Sequence, residues 1–362
     1  MEYYLEEIRE ENDKRRVERH AGGKARADVA HTLDELGIKK IELYAHIDER
    51  KNAKNLSKIK WHIVFARNLK RILKKLNKGD VLYLQFPLLS HSILQGIILW
   101  YAQKNIKIVL IIHDLTMLRE IKNIKSPLSK IRLWLEEKSV VMCCSKVVVH
   151  NSRMGLYLKG IGLNADKLIN LQIFDYIVPE KHEIYNFVSD EAISEVIVAG
   201  NLEREKAGYV YNLPPFLKYN LYGVNYDGIK KENVHYFGSY KSDELPYVIR
   251  GKFGLVWDGP SADSCIGSYG EYLKINNPHK TSLYLAAGIP VAIWNEAALA
   301  DFITENRCGI LIESLKDLEI QVERMSEESY LDYKKNAERV GKKIREGFYL
   351  QKAIQESRKL LA

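Results

Sequence analysis

Lys280, Thr281 and Ser282 lie in the run 276–291 (NNPHKTSLYLAAGIPV), a cation and two hydroxyls at the start of a predicted helix. Asn277 suits the cap, Pro278 the first helical position, and Gly288 followed by Ile289 and Pro290 stops the helix after about three turns. Unpaired backbone N–H groups and the positive end of the dipole favour an anion there, and phosphate fits. Upstream, the apolar run 253–257 reads as a strand leading into Asp258 and Gly259. In open α/β sheets, ligands gather beyond the carboxyl ends of strands. A capped surface helix beside a buried strand would leave the same pattern, so other segments must decide.

Further strand ends carry polar groups. The run 196–199 leads into Gly200 and Asn201, where glycine permits close backbone approach and Arg204 follows with a guanidinium able to grip phosphate bidentately; an ordinary turn reads the same way. Tyr240 and Asp243 stand where another helix begins after Gly238, so the ring is placed to stack on a base, or Ser242 and Asp243 simply cap. Gly23 and Lys24, in AGGKARAD, form either a second anion-contacting loop or a turn into a helix. The run 108–112 ends at His113 and Asp114, either of which is placed to act as a general base or to cap. Cys265 and Glu271 sit in a glycine-rich loop within reach of a sugar. No DxD motif occurs, so nothing points to carboxylates clamping a metal-bound diphosphate. Lys280, Arg204 and helix dipoles would have to neutralise a leaving group.

The elements that must position these residues alternate. Strands are predicted over 41–45, 81–85, 108–112 and 147–150, with helices over 24–36, 57–76, 90–103, 128–138 and 152–159. A second series of strands follows over 196–199, 219–222, 234–237, 254–257 and 291–294. This is the pattern of parallel sheets covered on both faces. The periodicity breaks near 172–192, so two Rossmann-like domains facing across a cleft are expected: residues 1–175, residues 176–345 and a final helix over 346–362 that could close against either.

At 362 residues, two domains of ordinary size are natural. The charged opening lacks a signal peptide's apolar core, and the longest apolar stretch, 93–101, is too short for a bilayer and reads as a buried helix. A cytoplasmic protein with reduced, mostly buried cysteines is expected. No CxxC pair and no close histidine spacing suggests zinc. The net charge of +8 is uneven: residues 1–180 hold 32 Lys and Arg against 21 Asp and Glu. Its densest part, 51–78, carries ten Lys and Arg and no acid, with Leu69, Ile72, Leu73 and Leu76 at helical spacing. That is a basic amphipathic helix, fit for an anionic membrane surface or an ordinary solvated face. Nucleic acid ranks below both, since no recognised module accompanies the charge.

The strings IFDYIV, AGNLER, LYGVNY, GLVWDG and NNPHKTSLYLAAGIPV followed by NEAALADFI resemble bacterial β-1,6-galactofuranosyltransferases of surface-polysaccharide assembly. More distantly the chain resembles the third glucosyltransferase of streptococcal adhesin glycosylation. The resemblance covers nearly the whole chain and implies an α/β protein of the GT-B class. The C-terminal domain would hold the donor nucleotide and the N-terminal one the acceptor. It assigns UDP contacts to Arg204, Tyr240 and the segment from Lys280 to Leu283. Many GT-B members place a glutamate two residues after the lysine to hold the ribose; Ser282 stands there.

The expectation is therefore an inverting hexosyltransferase, with UDP-galactofuranose as donor substrate, a lipid-linked glycan as acceptor, and neither cofactor nor metal. Asp114 is the preferred base, Glu271 the reserve and His113 the competitor. UDP-glucose or UDP-galactose as donor, or a non-enzymatic partner of the same fold, are the alternatives.

Overall fold

A computed structural model describes residues 1–9, 23–45, 55–90, 92–119, 124–178, 195–228 and 231–362. Residues 21–22 of the glycine loop, 51–54 of the basic run and 179–192 of the expected break lie outside these.

The chain divides into two compact units. The first comprises Met1–Val17, Val29–Leu171 and Gln351–Ala362, and the second Glu18–Asp28 and Gln172–Leu350. The division thus falls at 171/172, where the sequence suggested 175/176, and the start of the helix Lys24–Glu35 groups with the second unit. The final helix, Phe348–Leu361, belongs from Gln351 onward to the first unit. Its Arg358 Nε donates to both carboxylate oxygens of Glu2 at 2.9 and 3.0 Å.

The first unit holds a parallel sheet of β1 (Glu2–Arg9), β2 (Lys39–Ala45), β3 (Val81–Phe86), β4 (Lys107–Ile112), β5 (Lys146–Val149) and β6 (Leu168–Asn170), in the order β2-β1-β3-β4-β5-β6. Ile108 to Ile112 are fully buried, as a strand covered on both faces requires. Neither β1 nor β6 was expected. The glutamates of EYYLEEIR disguise β1, although Tyr4 and Leu5 are buried and Glu7 accepts the Leu89 N–H at 2.8 Å. The apolar helix Ile93–Ala102 was expected to be buried; Ile93, Leu94, Ile97, Trp100 and Tyr101 instead meet solvent. No helix among the described residues is long and apolar enough to cross a membrane.

The second unit holds β7 (Val196–Asn201), β8 (Tyr219–Val224), β9 (Val234–Tyr236), β10 (Phe253–Val256), β11 (Val291–Trp294) and β12 (Gly309–Ile312), all parallel, in the order β12-β11-β10-β7-β8-β9. Strand order reverses between β7 and β10, which is where a doubly wound sheet opens its crevice. These two strands pair only at Val196–Phe253 and Ile197–Gly254. Gly254 makes room beside these strands for the Tyr284 ring, because a Cβ there would lie 2.1 Å from it. The Tyr284 hydroxyl accepts the Ala199 N–H at 2.8 Å, satisfying a backbone donor left without a strand partner. All four cysteines are buried free thiols.

Candidate functional site

The switch point of the second sheet brings together the groups best able to hold a phosphate. Beyond β10, Asp258 meets Lys280 from the helix His279–Ala286, Nζ to Oδ1 at 2.9 Å. The same Nζ donates to the Trp257 carbonyl at 2.8 Å. The two side chains are only 13% and 8% exposed. A buried lysine so bound is held at one position near a helix N-terminus. Tyr209 lies close enough for the Asp258 charge, after burial itself, to push its phenol well above the ordinary value. The Tyr209 and Thr281 hydroxyls are buried and find no hydrogen-bond partner among the described residues.

The first turn of that helix differs from the sequence expectation. Pro278 occupies the cap position, and Asn277 uses its amide to donate to the Gln172 carbonyl at 3.0 Å. The Ser282 hydroxyl donates to the Phe174 carbonyl at 2.7 Å, so its proton is engaged and not offered to a phosphate. Leu283 is buried core. Of this run, Lys280 places its Nζ beside Asp258 at the crevice. The helix is anchored further by the 173–178 segment: His279 stacks on Tyr176 at 4.9 Å and its Nε2 contacts the Asp175 carbonyl at 3.2 Å. Burial lowers the His279 imidazole to about 4, so it is neutral at physiological pH.

Glycines mark the carboxyl ends of three successive strands. Gly200, Gly223 and Gly238 follow or close β7, β8 and β9 with φ of 137°, 151° and 77°. A Cβ on Gly223 would fall 1.7 Å from the Gly200 carbonyl oxygen, whereas a Cβ on Gly200 would meet open space. The backbone there lies bare to an incoming ligand. Asn201 Oδ1 accepts from the Glu203 N–H and from Asn225, which shapes the turn. Arg204 then projects with its guanidinium 3.9 Å from the Tyr211 ring centroid and 3.2 Å from Asp227, in an exposed pair. Tyr240 is half-buried, its ring 6.2 Å from that of Tyr222.

Other expected groups are placed elsewhere. Lys24, following Gly23, is spoken for: its Nζ contacts Asp28 at 2.8 Å, Asp243 at 2.7 Å and the Ile177 carbonyl at 2.6 Å. This buried cation holds one segment of the second unit to another, and burial raises the Asp28 carboxyl to about 6 despite it. Glu271 is part-exposed beside Lys274 at 3.7 Å, and Cys265 is fully buried. In the first unit His113 pairs its Nε2 with Gln85 at 2.7 Å, and Asp114 pairs with Arg119. Tyr209 and Asp227 escaped the sequence reading, and Gly223 entered it only within the string LYGVNY.

A family model described as the glucosyltransferase 3-like N-terminal domain matches residues 8–173, and its C-terminal counterpart matches residues 196–357. The chain is 34% identical over 350 residues to the β-1,6-galactofuranosyltransferase WbbI of Escherichia coli, covering 95% of this chain and 96% of that one. It is 24% identical over 335 residues to glucosyltransferase 3 of Streptococcus gordonii, covering 91% and 92%. Among solved structures, Anabaena HepE in complex with UDP superposes with a TM-score of 0.57 at 11% identity over 99% of both chains, a likeness of fold.

Proposed function

The chain belongs to the glucosyltransferase 3-like family of GT-B glycosyltransferases, and from that premise we propose that it moves a galactofuranosyl unit from UDP-galactofuranose to a glycan acceptor in surface-polysaccharide assembly. One observation carries the donor choice: the likeness to a galactofuranosyltransferase runs through both units, over 95% of the chain.

In this reading the second unit binds the nucleotide. Lys280, the N-terminus of its helix and Arg204 face the diphosphate, the bare backbone at Gly200 lets it approach, and Tyr240 stacks on the base. An acceptor hydroxyl oxygen attacks the anomeric carbon as the bond to the β-phosphate oxygen breaks, inverting an α-linked donor to a β product. The hydroxyl proton passes to Asp114, with Glu271 or His113 as its competitors, and UDP leaves with its added charge met by Lys280 and Arg204. The acceptor is a lipid-linked glycan at the cytoplasmic face of a membrane.

A second donor is favoured by a specific observation. The family model and the streptococcal relative both carry glucosyltransferase names, so UDP-glucose is the competing donor. Incubating the purified chain with UDP-galactofuranose and a synthetic glycoside acceptor, then reading linkage and anomeric configuration by NMR, tests the reading. A β-1,6-linked furanoside supports it. Neither transfer nor slow donor hydrolysis would make the chain a non-enzymatic partner.

A further inference from the structure

Three helices of the first unit present one continuous kind of surface. Along Ile93–Ala102, the side chains of Ile93, Leu94, Ile97, Trp100 and Tyr101 recur at helical spacing on one face, each between 39% and 61% exposed. The neighbouring helix Pro127–Met142 adds Leu128, Ile131 and Leu135, also exposed. Gly96 lets these helices approach closely, since a Cβ there would sit 2.3 Å from Ser139 Oγ. The third helix, Asn55–Leu73, is tied in through Ser90, which contacts His62 Nδ1 at 2.7 Å and accepts from the Gln95 amide at 3.0 Å. It exposes Ile63 and Val64 and then Arg67, Lys70, Arg71, Lys74, Lys75 and Lys78 along and just beyond its end.

The three helices that form this face carry more Lys and Arg than Asp and Glu. Helices Asn55–Leu73 and Ile93–Ala102 contain no acid. In Pro127–Met142, Glu137 is buried and accepts the Thr116 and Met117 N–H groups, and Glu136 lies 3.7 Å from Arg132. Lys104 lies 4.3 Å over the Trp100 ring and Lys138 4.4 Å over Trp134. Amphipathic aromatics and snorkelling lysines of this kind suit a lipid headgroup boundary. A second copy packed isologously would set the basic fringe near itself, which like charges oppose.

We propose that this three-helix face docks the first unit onto an anionic phospholipid surface, the Ile93–Tyr101 stripe entering the boundary while the basic helix ends meet the headgroups. The proposal deepens, and takes its purpose from, the reading of a lipid-linked acceptor. The test is co-sedimentation of the full chain with vesicles of phosphatidylglycerol and phosphatidylcholine in equal parts, beside phosphatidylcholine alone. Wild type should bind the anionic vesicles with partial weakening by salt. Ile97→Glu with Trp100→Glu should lower partitioning about tenfold or more, and Lys70, Lys74 and Lys75→Glu should remove the salt dependence. Transfer to a short soluble acceptor should be the same in all three. Wild type that ignores anionic vesicles at low salt overturns the proposal, as does undiminished binding by the Ile97 and Trp100 variant. A dimer in sedimentation velocity that Trp100→Glu dissolves, with no vesicle binding, assigns the face to a second copy instead. Vesicle binding as described, without turnover of any donor, leaves the surface standing and removes the transferase reading.

Discussion

Lys280 and Asp258 form a buried ion pair, 2.9 Å from Nζ to Oδ1, at the point where the second sheet reverses its strand order. Removing one member strands the other charge in the protein, so Lys280→Ala should destabilise the fold by about 3–5 kcal/mol. It should also weaken UDP binding by about 2–3 kcal/mol, the scale of a lost charge-assisted contact in a shielded site. Combining Lys280→Met with Asp258→Leu separates the two effects. Denaturant unfolding should recover while calorimetric affinity for UDP does not; recovered affinity would remove Lys280 from the phosphate site.

Arg204 provides the contrast. Its pair with Asp227 lies in solvent, with side chains 61% and 67% exposed. Arg204→Ala should leave the unfolding midpoint unchanged yet weaken UDP binding by about 2–3 kcal/mol. Since Arg204 and Lys280 carry the leaving charge in the proposed reaction, turnover is expected to survive EDTA. Loss of activity restored by manganese would show that a metal shares that task.

Asp114→Asn should preserve fold and UDP affinity and lower turnover by about 10²-fold, as for a lost general base. Steady-state kinetics beside Glu271→Gln and His113→Ala decide the assignment. Near-normal turnover in Asp114→Asn, with collapse in either companion, moves the role to that residue.

The Tyr284 hydroxyl should matter to folding. Tyr284→Phe leaves the Ala199 N–H buried without its acceptor, at a cost of about 1–3 kcal/mol. Gly254→Ala should cost at least as much, since its Cβ meets the same ring. Thermal unfolding checks both, and an unchanged midpoint in Tyr284→Phe would mean the parted strands find another partner for that N–H.

Asp175 makes stability depend on pH. Burial raises its carboxyl to about 7, against the pull of the Leu350 and Tyr349 N–H groups that donate to it. Because the folded value exceeds the unfolded one, this contribution to stability is complete below about pH 4 and is lost as pH rises through about 7. Between about pH 5 and pH 8, Asp175→Asn should therefore gain about 1–3 kcal/mol relative to wild type in denaturant titrations. Parallel pH profiles would show that the carboxyl titrates normally.

Much of the architecture could be read from runs such as 108–112, where burial on both faces leaves an unbroken apolar string. The strand Glu2–Arg9 could not, because its glutamates are held by partners distant in sequence, Arg358 for Glu2 and the Leu89 N–H for Glu7. Composition likewise could not reveal that the apolar helix Ile93–Ala102 turns half its side chains to water. In the candidate site, the places of Lys280 at a helix start and of Asp258 at a strand end were legible separately, but not their ion pair. The loss of Ser282 to the Phe174 carbonyl and of Lys24 to Asp28 and Asp243 depended on packing that no local pattern encodes.

The most direct measurement is kcat/KM for UDP-galactofuranose, UDP-glucose and UDP-galactopyranose on one soluble glycoside acceptor, with Lys280→Ala run alongside. A galactofuranosyl transferase should favour UDP-galactofuranose by about 10²-fold or more and lose that turnover in the variant. Preferential use of UDP-glucose or UDP-galactopyranose, or turnover indifferent to Lys280, would contradict it.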